Sequence, residues 1–324
     1  MRQKLLALGI SLVTAITLCL PVMAQVTSRE NSINPGRIIL LDITQVGQKS
    51  IAVGERGVII ESHDNGGTWQ RVASPTTKAL SKIVFIDNKT GIAVGHGGLL
   101  LRTTDGGESW AVIEVEEAGF ESFLGASKLS NGMLIAYGAF GMYFESVDAG
   151  LTWTMREVVY EGFDWHISQV LEVDGSLILV GEAGTLAKSA DYGVTWEPID
   201  SPYEGSFFGA VALSDNTLLA FGMRGNVFRS TDYGDTWDHV STGTISALNS
   251  GMVTDDGTVV LAANNGQIVY STDNGLSFQI KEVGLRAPIS AVSQAKDDSL
   301  LYVGVLTSGK IDMGSQVISS QEVE

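Results

Sequence analysis

The chain has 324 residues, with 37 acidic against 20 basic side chains and a formal net charge of −17. That balance repels phosphate backbones and anionic lipid, so nucleic acid is excluded as a natural partner and any membrane association is expected to be indirect. A single cysteine, Cys19, rules out a disulfide framework.

At the start of the chain, Arg2 and Lys4 precede an apolar run from Leu5 to Leu20, which ends in Pro21-Val22-Met23-Ala24. This pattern predicts a signal peptide over residues 1–24, cut after Ala24, and a periplasmic or secreted mature protein. The run is short for a membrane span and is followed abruptly by the polar segment Thr27 to Ser32. Leu18 stands before Cys19 where a lipoprotein signal has Gly, Ala or Ser, which argues against lipidation. Removal of residues 1–24 leaves no thiol, which suits an oxidising compartment. It also leaves 18 basic residues against 37 acidic ones.

The remainder is organised by a repeat. Ser62-x-Asp64-x-Gly66-x-Thr68-Trp69 recurs around Asp105, Asp148, Asp191, Asp232 and Asp273, each copy followed by Trp or Phe. The steps between successive Asp residues are 41, 43, 43, 41 and 41. So even a period identifies stacked structural units. Within a unit, short β-type runs such as Lys82 to Ile86, Gly91 to Val94, Leu99 to Thr103 and Ser109 to Ile113 alternate with Gly-rich turns. Four strands at this spacing predict a propeller blade. Apolar runs such as Leu177-Ile178-Leu179-Val180 and Leu218-Leu219-Ala220-Phe221 predict strands covered on both faces.

The six Asp residues read as Asp-box turns between the third and fourth strands. There a carboxylate accepts bonds from the turn's own amides, Gly supplies a positive φ, and the following aromatic fills space between sheets. Their role is structural, neither catalytic nor metal-binding. After Phe278 a partial unit follows, with strands at Ile289 to Val292, Leu300 to Val305 and Lys310 to Met313 but no Asp-box. Residues 25–314 are therefore expected to form an all-β, seven-bladed β-propeller, with 315–324 as a C-terminal tail. The ring would be closed by an N-terminal strand from about Gln25 to Ser32, ahead of a first strand at Arg37 to Asp42, since an open blade leaves unpaired edges.

The Asp-box copies, together with the Gly-x-x-Gly turns at Gly54 to Gly57, Gly95 to Gly98, Gly138 to Gly141, Gly181 to Gly184 and Gly222 to Gly225, resemble the photosystem II stability and assembly factor-like family of Asp-box (BNR-like) β-propellers, in its non-photosynthetic bacterial branch. The resemblance covers essentially the whole mature chain. It implies a non-catalytic, exported propeller that binds protein and assists a membrane complex of the cell envelope, including transporters of the resistance-nodulation-division type. Strong acidity, without the basic surface patch of photosynthetic members, points away from a photosystem partner.

A partner-binding face is expected on the end that carries the inter-blade loops and the turns between second and third strands. The loops present Phe120, then Tyr160, Phe163, Trp165 and His166, then Tyr203 and Phe208, beside Glu116, Glu117, Glu161, Asp164 and Glu204. The Gly-x-x-Gly turns add Arg56, His96, Phe140, Glu182 and Arg224. Large aromatics on loops mark recognition surfaces, whereas Phe123, Trp165 and Phe207, at the starts of inner strands, are expected to pack between blades. Two other readings compete with protein binding. Aromatics and carboxylates also suit a glycan or small ligand. A sialidase-like hydrolase would need three converging arginines, for which Arg37, Arg56 and Arg224 are the candidates. The four histidines, His63, His96, His166 and His239, sit in different blades without metal-ligand spacing, and no cofactor or metal is expected.

Overall fold

The computed structural model describes residues 32–312, which contain seven antiparallel sheets. Blade 1 consists of Leu40–Val46, Lys49–Gly54, Ile59–Ser62 and Gln70–Val72. Blade 3 consists of Phe123–Lys128, Leu134–Gly138, Tyr143–Ser146 and Thr154–Met155, and blade 4 of Ile167–Val173, Ser176–Gly181, Leu186–Ser189 and Glu197–Pro198. Blades 2, 5 and 6 begin with Leu80–Phe85, Phe207–Ala212 and Leu248–Val253 and also have four strands. Among the described residues blade 7 has three: Ile289–Gln294, Leu300–Gly304 and Thr307–Ile311.

In every sheet the strands pair in chain order, and the first strand of each blade touches the first strands of both neighbours, the seventh touching the first. The sheets therefore surround one axis as a seven-bladed β-propeller. Second strands such as Leu134–Gly138 and Leu218–Gly222 are buried at every residue, because a neighbouring sheet covers each face. The core is accordingly divided into seven apolar clusters, one per seam between adjacent blades.

The repeated Asp turns knit these seams. In blade 1 the Ser62 hydroxyl donates to Asp64 Oδ1 at 2.8 Å and accepts from the Gly66 amide at 2.8 Å. Asp64 also accepts from the Thr68 amide at 2.8 Å and the Thr68 hydroxyl at 2.7 Å. The Trp69 indole N–H donates to the Gly66 carbonyl at 3.2 Å. The same bonds recur around Asp148, Asp191 and Asp232. Each aromatic lies in the seam with the preceding blade: Trp110 joins the cluster between blades 1 and 2, and Trp153 that between blades 2 and 3. Gly107, at φ 89°, turns its α-carbon toward Ile51 of blade 1, where a β-carbon would come within 2.7 Å of Ile51 Cδ1. Arg102 of blade 2 and Arg229 of blade 5 donate Nε–H to the turn carbonyls of Ala149 and Asn274 in the next blade, at 2.8 and 3.1 Å.

Closure differs in detail from the sequence expectation. The first strand begins at Leu40, because Asn34 and Pro35 start a 3-10 turn over Pro35–Arg37, with Asn34 Oδ1 accepting the Gly36 amide at 2.9 Å. This turn packs on the third strand of blade 7. Ile39 then bridges to Val305, and the Leu306 amide donates to the Ile38 carbonyl at 3.2 Å. Ser32 bridges instead to Gln70, on the outer strand of blade 1, and the Ile33 amide donates to Trp69 O at 3.1 Å. The rest of the expected closing strand, residues 25–31, lies outside the described residues, as do the expected signal peptide and tail. The third strand of blade 7 starts at Thr307, three residues before the expected Lys310.

Candidate functional site: an aromatic rim with an acidic surround

In an up-and-down sheet the turn between second and third strands lies at the same end as the loop to the next blade. The structure shows why these turns need glycine. A β-carbon on Gly138 would lie 2.1 Å from the Ser122 carbonyl oxygen, and one on Gly141 would lie 2.2 Å from that of Phe163. Both flanking loops thus rest directly on the turn. The Ala139 amide donates to Ser122 O at 2.9 Å and the Gly141 amide to Trp165 O at 3.0 Å. This contact brings the loop carrying Tyr160, Phe163, Trp165 and His166 against Phe140.

The result is one cluster spanning blades 3 and 4. Phe140 meets His166 edge to face, with ring centroids 4.9 Å apart, and Tyr160 meets Phe163 the same way at 5.4 Å. His166 Nδ1 lies 3.3 Å from Glu182 Oε2 and 3.4 Å from the Phe140 amide nitrogen. A protonated Nδ1 faces the carboxylate and an unprotonated one accepts the amide, so the two contacts are alternatives. Glu182 Oε2 also accepts the His166 amide at 3.2 Å. Phe140, Tyr160 and Trp165 are 59%, 51% and 42% exposed. Beside them a cavity of about 170 Å³ opens, walled by Phe140, Met142, Met155, Val158, Tyr160 and Phe163.

The other candidates do not join this cluster. Phe120 is almost fully exposed on the loop before blade 3. Arg56, His96 and Arg224 are exposed on their own turns in blades 1, 2 and 5. Tyr203 is half-buried, its ring against Phe207 and Phe228 in the seam between blades 4 and 5. Phe208 faces the central channel. Of the three residues expected to pack, Phe123 and Phe207 are fully buried, but Trp165 is exposed. Phe163 is half-buried, with its ring both in the seam core and on the cavity wall. Arg56 and Arg224 stand on turns of blades 1 and 5, three steps apart around the ring, and Arg37 lies in the N-terminal turn. Among the described residues no three His, Cys, Asp or Glu side chains gather closely enough to hold a metal ion.

Sequence reasoning missed the polar lining of the central channel. Its cavity of about 140 Å³ is lined by first-strand side chains of all seven blades. Several of these bond the next blade. The Ser81 hydroxyl donates to Phe123 O at 2.7 Å, Ser127 to Val170 O at 2.7 Å, and Asn249 Nδ2 to Ile289 O at 2.8 Å. Gln169 Oε1 accepts the Ala210 amide at 3.0 Å. Asp42 accepts both the Ile83 amide and Lys82 Nζ at 3.0 Å. Burial works against the Lys82 charge, but Asp42 and Tyr137 outweigh it and hold its pKa above the ordinary value. A polar residue near the start of the first strand in blades 1, 2, 4, 6 and 7, at Asp42, Ser81, Ser168, Asn249 and Ser290, was the available signal.

The fold and rim define a seven-bladed propeller that presents aromatic loops at one end. The family model described as photosynthesis system II assembly factor YCF48 matches residues 25–120 and 122–278. The chain belongs to that family. Among solved structures it is similar to YCF48 bound to D1 peptide, at 19% identity and TM-score 0.70 over 86% of this chain and 93% of that one. It is also similar to YCF48 from Cyanidioschyzon merolae, at 17% identity and TM-score 0.68 over 86% and 96%. A streptogramin B lyase shares the fold at 14% identity and TM-score 0.73, over 87% of this chain and 95% of that one. No sequence among curated proteins matches the chain.

Proposed function

We propose that the protein is an exported, non-catalytic propeller that binds another protein through its loop-bearing rim and acts as an assembly or accessory factor for a membrane complex of the cell envelope. The observation that carries this reading is the cluster of Phe140, Tyr160 and Trp165, large aromatics held exposed by a glycine-clamped scaffold. Exposed aromatics fixed in place lose little conformational freedom on binding and are enriched where proteins meet. Family membership supports the role, and a YCF48 of the same fold is described bound to a D1 peptide. Export rests on Arg2, Lys4, the apolar run Leu5 to Leu20 and Ala24. Acidity directs the partner search away from photosystems and toward complexes with basic extracytoplasmic surfaces, resistance-nodulation-division transporters among them.

The test is affinity purification from detergent-solubilised, cross-linked membranes of the native host, with wild type and a Tyr160→Ser, Trp165→Ser double variant. Wild type is expected to recover a discrete membrane complex that the variant loses at unchanged melting temperature. Equal recovery by both would remove the rim from the proposal. N-terminal sequencing of the mature protein should begin at Gln25.

A further inference from the structure

We infer that the cavity on blade 3 is a docking pocket for one apolar side chain of a partner segment that carries basic residues close on either side. The inference rests on the protein-binding reading above and names the chemistry of its partner. Three observations carry it. The cavity has an apolar wall formed by Phe140, Met142, Met155, Val158, Tyr160 and Phe163. At about 170 Å³ it is smaller than the roughly 300–1,000 Å³ of pockets that enclose whole small molecules, and of a size for a single side chain. Two methionines give its wall the adaptable, polarisable surface that accepts side chains of differing shape.

Phe140 provides the second observation. It sits at φ 52°, ψ 45°, in the left-handed region that costs a residue with a β-carbon about 1–2 kcal/mol. Phe140 is 59% exposed. The same left-handed position recurs at Arg56, Ala183, Arg224 and Asn265, so the turn belongs to every such blade, and what sets blade 3 apart is that its turn holds a large aromatic ring at the edge of a cavity.

The third observation is charge. Glu157, Glu161 and Asp164 are exposed on the segment that borders the cavity, and Glu116, Glu117 and Glu121 are exposed on the loop before blade 3. Arg156, the cation at the cavity wall, is paired through Nε with Glu145 Oε2 at 3.0 Å. An apolar hole in an acidic field selects a hydrophobic residue flanked by Lys or Arg, and that attraction weakens with salt.

The experiment uses the purified mature protein and a phage-displayed library of random twelve-residue peptides, selected on wild type and on Met155→Arg. Met155 is half-exposed on the outer strand and lines the cavity, so arginine there adds bulk and a positive charge to its wall without disturbing the core. Wild type is expected to enrich peptides with Leu, Phe or Trp within four residues of two or more Lys or Arg. Synthetic versions should bind at least 10-fold more weakly to Met155→Arg and at least 5-fold more weakly at 0.5 M than at 0.05 M NaCl. Absence of enrichment, enrichment of acidic or uncharged peptides, or equal binding to Met155→Arg would each overturn the inference. The two proposals fail separately. Peptide selection without recovery of a membrane complex leaves the pocket standing and removes the assembly role. A membrane complex recovered equally by Met155→Arg removes the pocket and leaves the role.

Discussion

The α-carbon of Gly141 rests against the carbonyl oxygen of Phe163, so close that a β-carbon would sit 2.2 Å from that oxygen. The contact ties the shape of the rim to a single missing methyl group. Gly141→Ala combines this collision with a φ of +71° and is expected to lower stability by about 2 kcal/mol or more. It should also push the loop of Tyr160 and Trp165 away from Phe140. Gly132 has a φ of +87° but nothing within 4 Å of where its β-carbon would be, so Gly132→Ala is expected to cost about 1–2 kcal/mol, from backbone strain alone. Urea unfolding of both variants measures the difference; equal losses would contradict the close-packing account.

The six turn carboxylates set an acid limit. Ser277 holds Asp273 at about 2 by its hydroxyl first, with Ser271 and the Ser277 amide adding to it. Partial burial pushes Asp105 and Asp148 upward and is the largest influence on each. The hydroxyl and amide bonds from Ser109 and Thr152, with the Thr103 and Ser146 hydroxyls, together outweigh it and bring both to about 2. Asp64, Asp191 and Asp232 are lowered in the same way. A carboxylate with a depressed folded pKa stabilises the fold above its unfolded value of about 3.9, and that contribution is lost as pH falls through the folded value. The melting temperature should therefore be nearly flat from pH 7 to 5 and fall steeply between about pH 4 and 2. Replacing Asp105, Asp148 and Asp273 by Asn should flatten that fall while lowering stability at pH 7.

Tyr143 is fully buried in the seam between blades 3 and 4, and its hydroxyl has no hydrogen-bond partner among the described residues. Burial, with Glu145 nearby, pushes its pKa far above the ordinary tyrosine value. Removing an unsatisfied buried hydroxyl relieves about 1–3 kcal/mol of desolvation. Tyr143→Phe is thus expected to stabilise the protein, read as a higher urea midpoint at an unchanged m-value, and a lower midpoint would show that the hydroxyl is satisfied.

Deletion of residues 25–34 removes the Ile33 bond to Trp69 and the Asn34 cap that starts the closing turn. The melting temperature of the mature protein should drop by several degrees. An unchanged melt would mean that the ring closes without this segment.

The fold was legible because its signal is local and repeated: each Asp turn satisfies its own carboxylate within four residues, so the pattern shows at every copy. The faces of strands were legible from runs such as Leu218 to Phe221 for the same reason. What could not be read depends on partners beyond the local turn, from across a hairpin to the next blade. The Ser127 bond to Val170 is invisible in a polar residue on an apolar strand. The blade 3 cavity joins Met142 to Met155 across a hairpin and both to Tyr160 on the next loop. Trp165 and Phe207 look alike in the sequence, yet Phe207 opens its strand opposite Gly222 and is buried, whereas Ile167 takes that place opposite Gly181 in blade 4 and leaves Trp165 two residues outside the strand and exposed.

The side-chain ties lining the channel link blade 1 to 2, 2 to 3, 3 to 4, 4 to 5 and 6 to 7. Blades 5 and 6 are tied instead by Arg229 to the Asn274 carbonyl, whereas among the described residues blade 7 has three strands and meets blade 1 through main-chain bonds at Ile38 and Ile39 and a shared apolar cluster. The circle thus has a clasp. On warming, amide protons of Thr307–Ile311 should exchange ahead of those in the other third strands, and a protease should find its first cut there, so the molecule fails by unfastening at one place while the remaining six sheets are still stacked.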